Sequence, residues 1–333
     1  MKNLLTCFVF FFSIIAFADK VELEFKQTLN LAHKEKFKQT RIGGLSGLFY
    51  KDSKIYAVSD DRGRFGPARI YQFLLERKNN EFSVKAEDVI LLNPQKKSKD
   101  YVLLDLEGLA FWQNQWILTS EGDLNKKPRV FPEILSFEGG RLRRNFVSIP
   151  SEFLPNASGI LNHGLKNNMA FEGLTIDSAK KKLYLLSESD LIQDRNSQQN
   201  VSSYLLSYDL ESKNFQQKRK IYFETGMQLF LYFGASEITY WKDNKFFILT
   251  RGVSFSSGGK FDCAIWLLDL DESEEEILKP KLILDLKSAK LVQNYEGMTL
   301  FKDLAGSEFL VVVSDDNFDK AESTEFIFFK VKQ

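Results

Sequence analysis

Phe171-Glu172-Gly173-Leu174, leading after a short turn to Leu186-Ser187-Glu188-Ser189-Asp190, is the stretch whose reading decides the fold. It opens a strand on an acid and a glycine, turns, and ends a second strand in small and acidic residues. Self-comparison of the chain finds the same pattern five times, which marks a repeat architecture. Leu45-Ser46-Gly47-Leu48 leads to Val58-Ser59-Asp60-Asp61, and Leu106-Glu107-Gly108-Leu109 to Thr119-Ser120-Glu121-Gly122-Asp123. Tyr295-Glu296-Gly297-Met298 leads to Val313-Ser314-Asp315-Asp316-Asn317. The fourth copy is degenerate, with Ala235-Ser236-Glu237-Ile238 leading to Leu249-Thr250-Arg251-Gly252. Anchors at 46, 107, 172, 237 and 296 stand 61, 65, 65 and 59 residues apart.

Each copy holds four segments of strand composition, in the third copy Gly173 to Ile176, Lys182 to Leu186, Ser203 to Asp209 and Gln217 to Phe223. Four strands per unit, with no useful helical periodicity beyond the first residues, predict an all-β closed propeller of five four-stranded blades. Six shorter blades are the alternative, if Lys85 to Leu104 and Phe146 to Met169 carry extra strands. The last copy stops after Thr324 to Lys332, one strand short, and Val21 to Leu31 is a strand without a blade. The N-terminal strand is therefore expected to complete the last blade and remove an open edge.

The 333 residues carry 45 Lys plus Arg against 45 Asp plus Glu, so no global positive field exists to hold nucleic acid. Two histidines, His33 and His163, leave little for a histidine-based hydrolase or a His-rich zinc site. Lys2, the apolar run Leu4 to Phe17 and Ala16-Phe17-Ala18 read as a signal peptide cleaved after Ala18. An uncleaved anchor is the alternative, but the run is short against the ~20 residues that span a bilayer. The expectation is a secreted or periplasmic single domain over residues 19–333 without a stable membrane anchor. Cys7 leaves with the signal, and Cys263 reads as a buried free thiol in a strand.

In a propeller the first strand of each blade lines the channel, and the second runs back beside it, so the repeated acids meet at one mouth. Glu107, Glu172, Glu237 and Glu296 would ring the entrance, with Asp60, Asp61, Glu121, Asp123, Glu188, Asp190, Asp315 and Asp316 as a second tier. Arg62, Arg64, Arg69, Arg129, Arg195 and Arg251 are interleaved with them. Blade repeats also keep polar residues simply to bond neighbouring backbone or pair with arginine. Crowded carboxylates in a narrow mouth repel, however, and a bound cation relieves them. Oxygen donors without histidine or thiolate suit a divalent cation, calcium above magnesium, with Glu107, Glu172, Glu237 and Glu296 as metal ligands.

The motifs Gly43-Gly44-Leu45-Ser46-Gly47-Leu48, Tyr56-Ala57-Val58-Ser59-Asp60-Asp61-Arg62-Gly63, Leu118-Thr119-Ser120-Glu121-Gly122-Asp123, Phe171-Glu172-Gly173-Leu174 and Val313-Ser314-Asp315-Asp316-Asn317-Phe318 resemble the phytase-like family with esterase-like activity of phytase. The resemblance runs from Gly43 to Phe318, in the family's order. It implies an exported ester or phosphoester hydrolase acting on a small molecule, and a calcium-assisted mechanism if phosphate is cleaved. Glu121, Glu188 and Asp61 are the candidate catalytic groups, and Arg62, Arg251 and Asn317 the candidate substrate contacts. A non-catalytic propeller binding an envelope glycan or protein, and a metal-dependent lactonase or carboxylesterase, are the competing readings. His163, the acidic run Asp271 to Glu276 and Lys96 to Lys99 read as solvated loops.

Overall fold

The structure is a computed structural model that describes residues 20–92, 104–156, 160–194, 201–226, 230–272 and 276–333. The expected signal segment, Lys96 to Lys99 and Arg195 lie outside these residues, as does part of the run Asp271 to Glu276. Five antiparallel blades succeed one another along the chain. Blade 1 is Leu45–Lys51, Lys54–Ser59, Arg69–Lys78 and Glu81–Leu91; blade 2 is Leu106–Trp112, Gln115–Ser120, Glu133–Glu138 and Arg141–Arg143. Blade 3 is Phe171–Asp177, Lys182–Ser187, Ser202–Asp209 and Phe215–Tyr222; blade 4 is Phe230–Lys242, Lys245–Ser254, Ala264–Asp269 and Lys281–Asp285. Blade 5 is Asn294–Lys302, Glu308–Asp315 and Glu325–Lys332, completed by Glu22–Asn30 from the other end of the chain.

The closing strand behaves as the missing strand of the last repeat required. Glu22–Asn30 runs antiparallel to Glu325–Lys332 from Glu22↔Lys332 to Asn30↔Glu325, with one bulge after Phe25. The first strands of the blades touch in the order 1–2–3–4–5–1, so the ring is shut. Between neighbouring blades lies one apolar cluster each, five in all among the described residues. Phe73, Phe82, Phe309, Phe326 and Phe328, for example, weld blade 1 to blade 5. The six-blade alternative is not met: Lys85 to Leu91 belongs to the fourth strand of blade 1, and the described part of 146–169 holds only the 3-10 turn Ser151–Phe153 and a Lys166↔Met169 bridge. Blade 3 exceeds the four-strand expectation, because Ile277–Leu278, from the connection within blade 4, adds in parallel to its outer strand. Among the described residues no helix is long and apolar enough to cross a membrane.

The repeated glycine has a steric cause. A Cβ on Gly47 would lie 2.2 Å from the Glu107 carbonyl oxygen, one on Gly108 2.6 Å from that of Glu172, and one on Gly297 2.0 Å from that of Ser46. These glycines let the inner strands pack backbone against backbone around the axis.

Candidate active site at the propeller mouth

A β-bulge at the repeat motif sets the acids. Each inner strand slips register against its neighbour there: around Ser46 and Gly47, Glu107 and Gly108, Glu172, Ser236, and Glu296. Bulges re-aim side chains, and here they tip the anchors toward the mouth. In blade 4 the unpaired residue is Ser236, while Glu237 pairs with Leu249. The bulge therefore aligns Ser236 with Ser46, Glu107, Glu172 and Glu296, and puts Glu237 where the other blades have glycine.

That one-residue offset sends Glu237 down the axis. Its carboxylate accepts from the backbone N–H of Ile238 at 2.9 Å, Leu174 at 3.3 Å and Leu48 at 3.4 Å, three different blades. Burial pushes its pKa well above the usual range, against the pull of these amides and that of Met298. Among the described residues Glu237 belongs to none of the groupings of acids at the mouth.

The ends of the second strands supply the upper tier. Asp60, Glu121, Glu188, Arg251 and Asp315 follow Ser59, Ser120, Ser187, Thr250 and Ser314, so each blade contributes one charged side chain. Together with Asp105, Glu107, Glu172 and Glu296 they form three groups whose oxygens lie within 4.8 Å of one another: Asp60–Glu296–Asp315, Asp105–Glu107–Glu121 and Glu121–Glu172–Glu188. The mouth opens as a cavity of about 340 Å³ that also reaches Arg62, Asn168, Asn317 and Phe318.

Arg251, the departure of the fourth repeat from its acidic pattern, stands at the centre. Nη2 donates to Glu188 Oε1 at 3.1 Å and Glu172 Oε1 at 3.5 Å, and Nη1 to Glu296 Oε1 and to Asn294 Oδ1 at 3.4 Å. Burial works against its charge, but Glu296, Glu188, Glu172 and Glu107 outweigh it and raise its pKa. Tyr232 donates its hydroxyl to Glu188 from the same hairpin. Burial, first, lifts Glu188 to about 7 against the pull of Arg251, and lifts Asp105 to about 6 against Arg62. Burial followed by neighbouring carboxylates pushes Asp60, Glu107, Glu172 and Asp315 well above their ordinary values, and Glu121 likewise.

The remaining second-tier acids serve the loops. Asp61, expected among the catalytic groups, accepts from buried Arg69 at 2.7 Å and from the amides of Gly63 at 2.9 Å and Phe65 at 3.0 Å. Asp316 accepts from the amides of Gly44 at 3.0 Å and Phe318 at 3.1 Å, tying blade 5 to the segment ahead of blade 1. Asp190 pairs with Lys166, and Asp123 bonds the amide of Asn125 at 2.9 Å. Asn317 lines the cavity, with its amide nitrogen donating to Glu322 at 2.8 Å. Asp105 is the site residue that the repeat alignment missed. It lies two residues before Glu107, and that spacing on an extended chain is the signal that could have found it.

Among the described residues, the buried mouth oxygens Glu172 Oε2, Glu188 Oε2 and Asp315 Oδ2 have no hydrogen-bond partner, and Asp105 Oδ2 has only its ion pair with Arg62. An all-oxygen donor set with unfilled, desolvated lone pairs fits a hard divalent cation. A closed all-β propeller with an acidic, arginine-bearing mouth is the class defined so far. The chain belongs to the phytase-like family, described as esterase-like activity of phytase, whose profile matches residues 40–318. No curated protein matches it. Among solved structures, Bacteroides ovatus xyloglucan PUL GH43B matches at 11% identity over 90% of this chain and 54% of its own, with a TM-score of 0.49. A xylan β-1,4-xylosidase from Bacillus halodurans matches at 12% identity over 89% of this chain and 54% of its own, TM-score 0.46. The chain thus spans about half the length of both. A putative exo-β-1,3-galactanase from Bifidobacterium bifidum matches at 10% identity over 93% of this chain and 94% of its own, TM-score 0.50, which shows a common fold and nothing further.

Proposed function

We propose that the protein is an exported hydrolase of small esters, phosphate monoesters first among them, working at the mouth cavity with calcium held by its carboxylates. The observation that carries this reading is the set of buried, donor-free oxygens at the mouth, on Glu172 and Glu188 beside the Arg251 guanidinium and on Asp315 in the group with Asp60 and Glu296. Family membership supports the ester class. Glu107 with Asp105, Glu172, and Glu296 with Asp60 and Asp315 lie in three groups, each of which would hold a cation, whose chemistry there is to polarise the ester oxygen and acidify a water. Glu188, with a pKa of about 7, suits a group that takes up and returns a proton near neutral pH, and Glu121 orients the same water from blade 2. Arg251 and Arg62 would neutralise an anionic substrate by charge-assisted bonds, with Asn317 at the rim. Asp61, pinned by Arg69, fixes the loop that carries Asp60 and Arg62. Residues 1–18 we read as the export signal, and a mature N-terminus at Asp19, seen by mass spectrometry of the exported protein, checks that.

The test is a turnover panel on purified mature protein: phosphate release from inositol phosphates and aryl phosphates, and cleavage of aryl carboxylesters and lactones, each with calcium and with chelator. Chelator-sensitive phosphate release, restored by calcium, is expected. Carboxylester or lactone cleavage alone moves the substrate class. No turnover on any substrate refutes the hydrolase and leaves a propeller that binds a glycan or a protein.

A further inference from the structure

We infer that Arg62 is a tethered counter-ion seated on Asp105, Glu107 and Glu121, that a divalent cation displaces it, and that the freed guanidinium then takes an anionic group of the ligand. Cation and anion would accordingly bind cooperatively. The inference deepens the proposed function and rests on its cation reading alone, not on turnover.

Arg62 reaches from the loop after the second strand of blade 1 across to blade 2, where Nη2 lies 2.5 Å from Asp105 Oδ2 and also donates to Asn168. Its guanidinium faces Asp105, Glu107 and Glu121, one of the three groups whose oxygens converge within 4.8 Å. It stands where a cation would stand. The adjoining group shares Glu121 and carries the donor-free, buried Oε2 atoms of Glu172 and Glu188, so the demand for positive charge continues past Arg62.

Arg69, behind the mouth, and Arg251 and Arg62, which line it with Arg64, differ in how firmly they are held. Arg69 is buried and bonds Asp61, Tyr71, Pro67 and Arg41; Arg251 is 13% exposed and faces three carboxylates and Asn294. Arg62 is 46% exposed and held by two acceptors. Its backbone and that of Gly63 are left-handed (φ 52° and 73°), and Asp61 anchors this turn from behind, so the base is fixed while the long side chain can swing. One guanidinium offsets one of three carboxylates; a divalent ion offsets two and contacts their oxygens directly. A displaced arginine offers a planar fork suited to a phosphate-like oxyanion. Such coupling is reciprocal: whatever factor the cation adds to anion affinity, the anion adds to cation affinity.

The experiment is calorimetric titration of mature protein with calcium, and of the calcium-loaded protein with inorganic phosphate, for wild type, Arg62→Met and Asn168→Ala. With its internal competitor removed, Arg62→Met should bind calcium about fivefold tighter in the absence of phosphate. It should bind phosphate about tenfold more weakly once loaded. Asn168→Ala, which cuts one tether but keeps the charge, should tighten calcium without weakening phosphate. Calcium binding that is unchanged or weaker in Arg62→Met overturns the inference, as does unchanged phosphate affinity. A wild type without calcium binding overturns it together with the cation reading. Opposite shifts in calcium and phosphate affinity in a protein that turns nothing over support the inference and sink only the hydrolase.

Discussion

Arg251→Met is the most informative single change at the mouth. The guanidinium is the built-in cation facing Glu172, Glu188 and Glu296, and it is 13% exposed. At an effective dielectric near 20 each attraction at these distances is about 5 kcal/mol, and desolvation of the ions offsets most of it. Removing one partner of such a buried arrangement costs about 3–5 kcal/mol, because the carboxylates stay behind unpaired. Against the ~5–15 kcal/mol that a domain has in total, that is a large share. The loss should depend on pH with a definite sign. These carboxylates have folded pKa values raised above their unfolded ones, Glu188 to about 7, so between about pH 4.5 and 7 the folded state holds more protons than the unfolded. Their neutral forms stabilise below that window, and the benefit is lost as pH rises through the folded pKa. Without Arg251 the folded values climb further, so the gap between wild type and variant widens from pH 5 to 7.5. Urea unfolding in chelator at both pH values measures this, with Glu296→Gln and the double variant closing a mutant cycle. A loss under about 1 kcal/mol at pH 7.5, a loss equal at both pH values, or strict additivity with Glu296→Gln would refute the account of Arg251 as the counter-ion of a desolvated cluster.

Three further outcomes are expected. Deleting residues 20–31 removes the partner of Glu325–Lys332 and opens blade 5, so gel filtration and thermal scans should show aggregation or a large drop in Tm; a truncated protein as stable as the mature one contradicts closure. Gly297→Ala places a methyl 2.0 Å from the Ser46 carbonyl oxygen, which the axis cannot yield to, so soluble folded protein should be lost. Glu237→Gln turns an acceptor of several backbone N–H groups into a group half of which donates, costing about 1–3 kcal/mol in denaturant unfolding while leaving the calcium response intact; a lost calcium response would instead make Glu237 a ligand.

The fold was legible because its signal was redundant. Five copies of one motif, four of them with a glycine forced by axial crowding, and one strand too few at one end with one too many at the other, left little freedom in topology. The site was legible only to the level of the repeat. Both Asp60 and Asp61 border the mouth cavity, but the structure joins the first to Glu296 and Asp315 and pairs the second with Arg69. Nothing in a run of two aspartates says which is which until the buried arginine, eight positions on, is paired.

Blade 4 shows why alignment by residue type misleads at a functional position. Matching Glu237 to the other glutamates is the natural reading of Ala235-Ser236-Glu237-Ile238, yet the bulge leaves Ser236 unpaired and gives Glu237 the glycine's place. Backbone geometry, not side-chain chemistry, fixes equivalence among blades. Once blade 4 is shifted by one, its contribution to the mouth is a serine below and Arg251 above, with no acid at either level. The degenerate copy is then a device rather than a decayed repeat. The four other blades bring carboxylates to a closed ring, and the fifth charge is positive and faces three of them. Its acid has gone to the axis, where backbone amides receive it. A fully symmetric ring would concentrate like charge at one point. With one glutamate displaced downward and one arginine raised in its blade, the carboxylates of the mouth stand in three groups, two of them joined through Glu121.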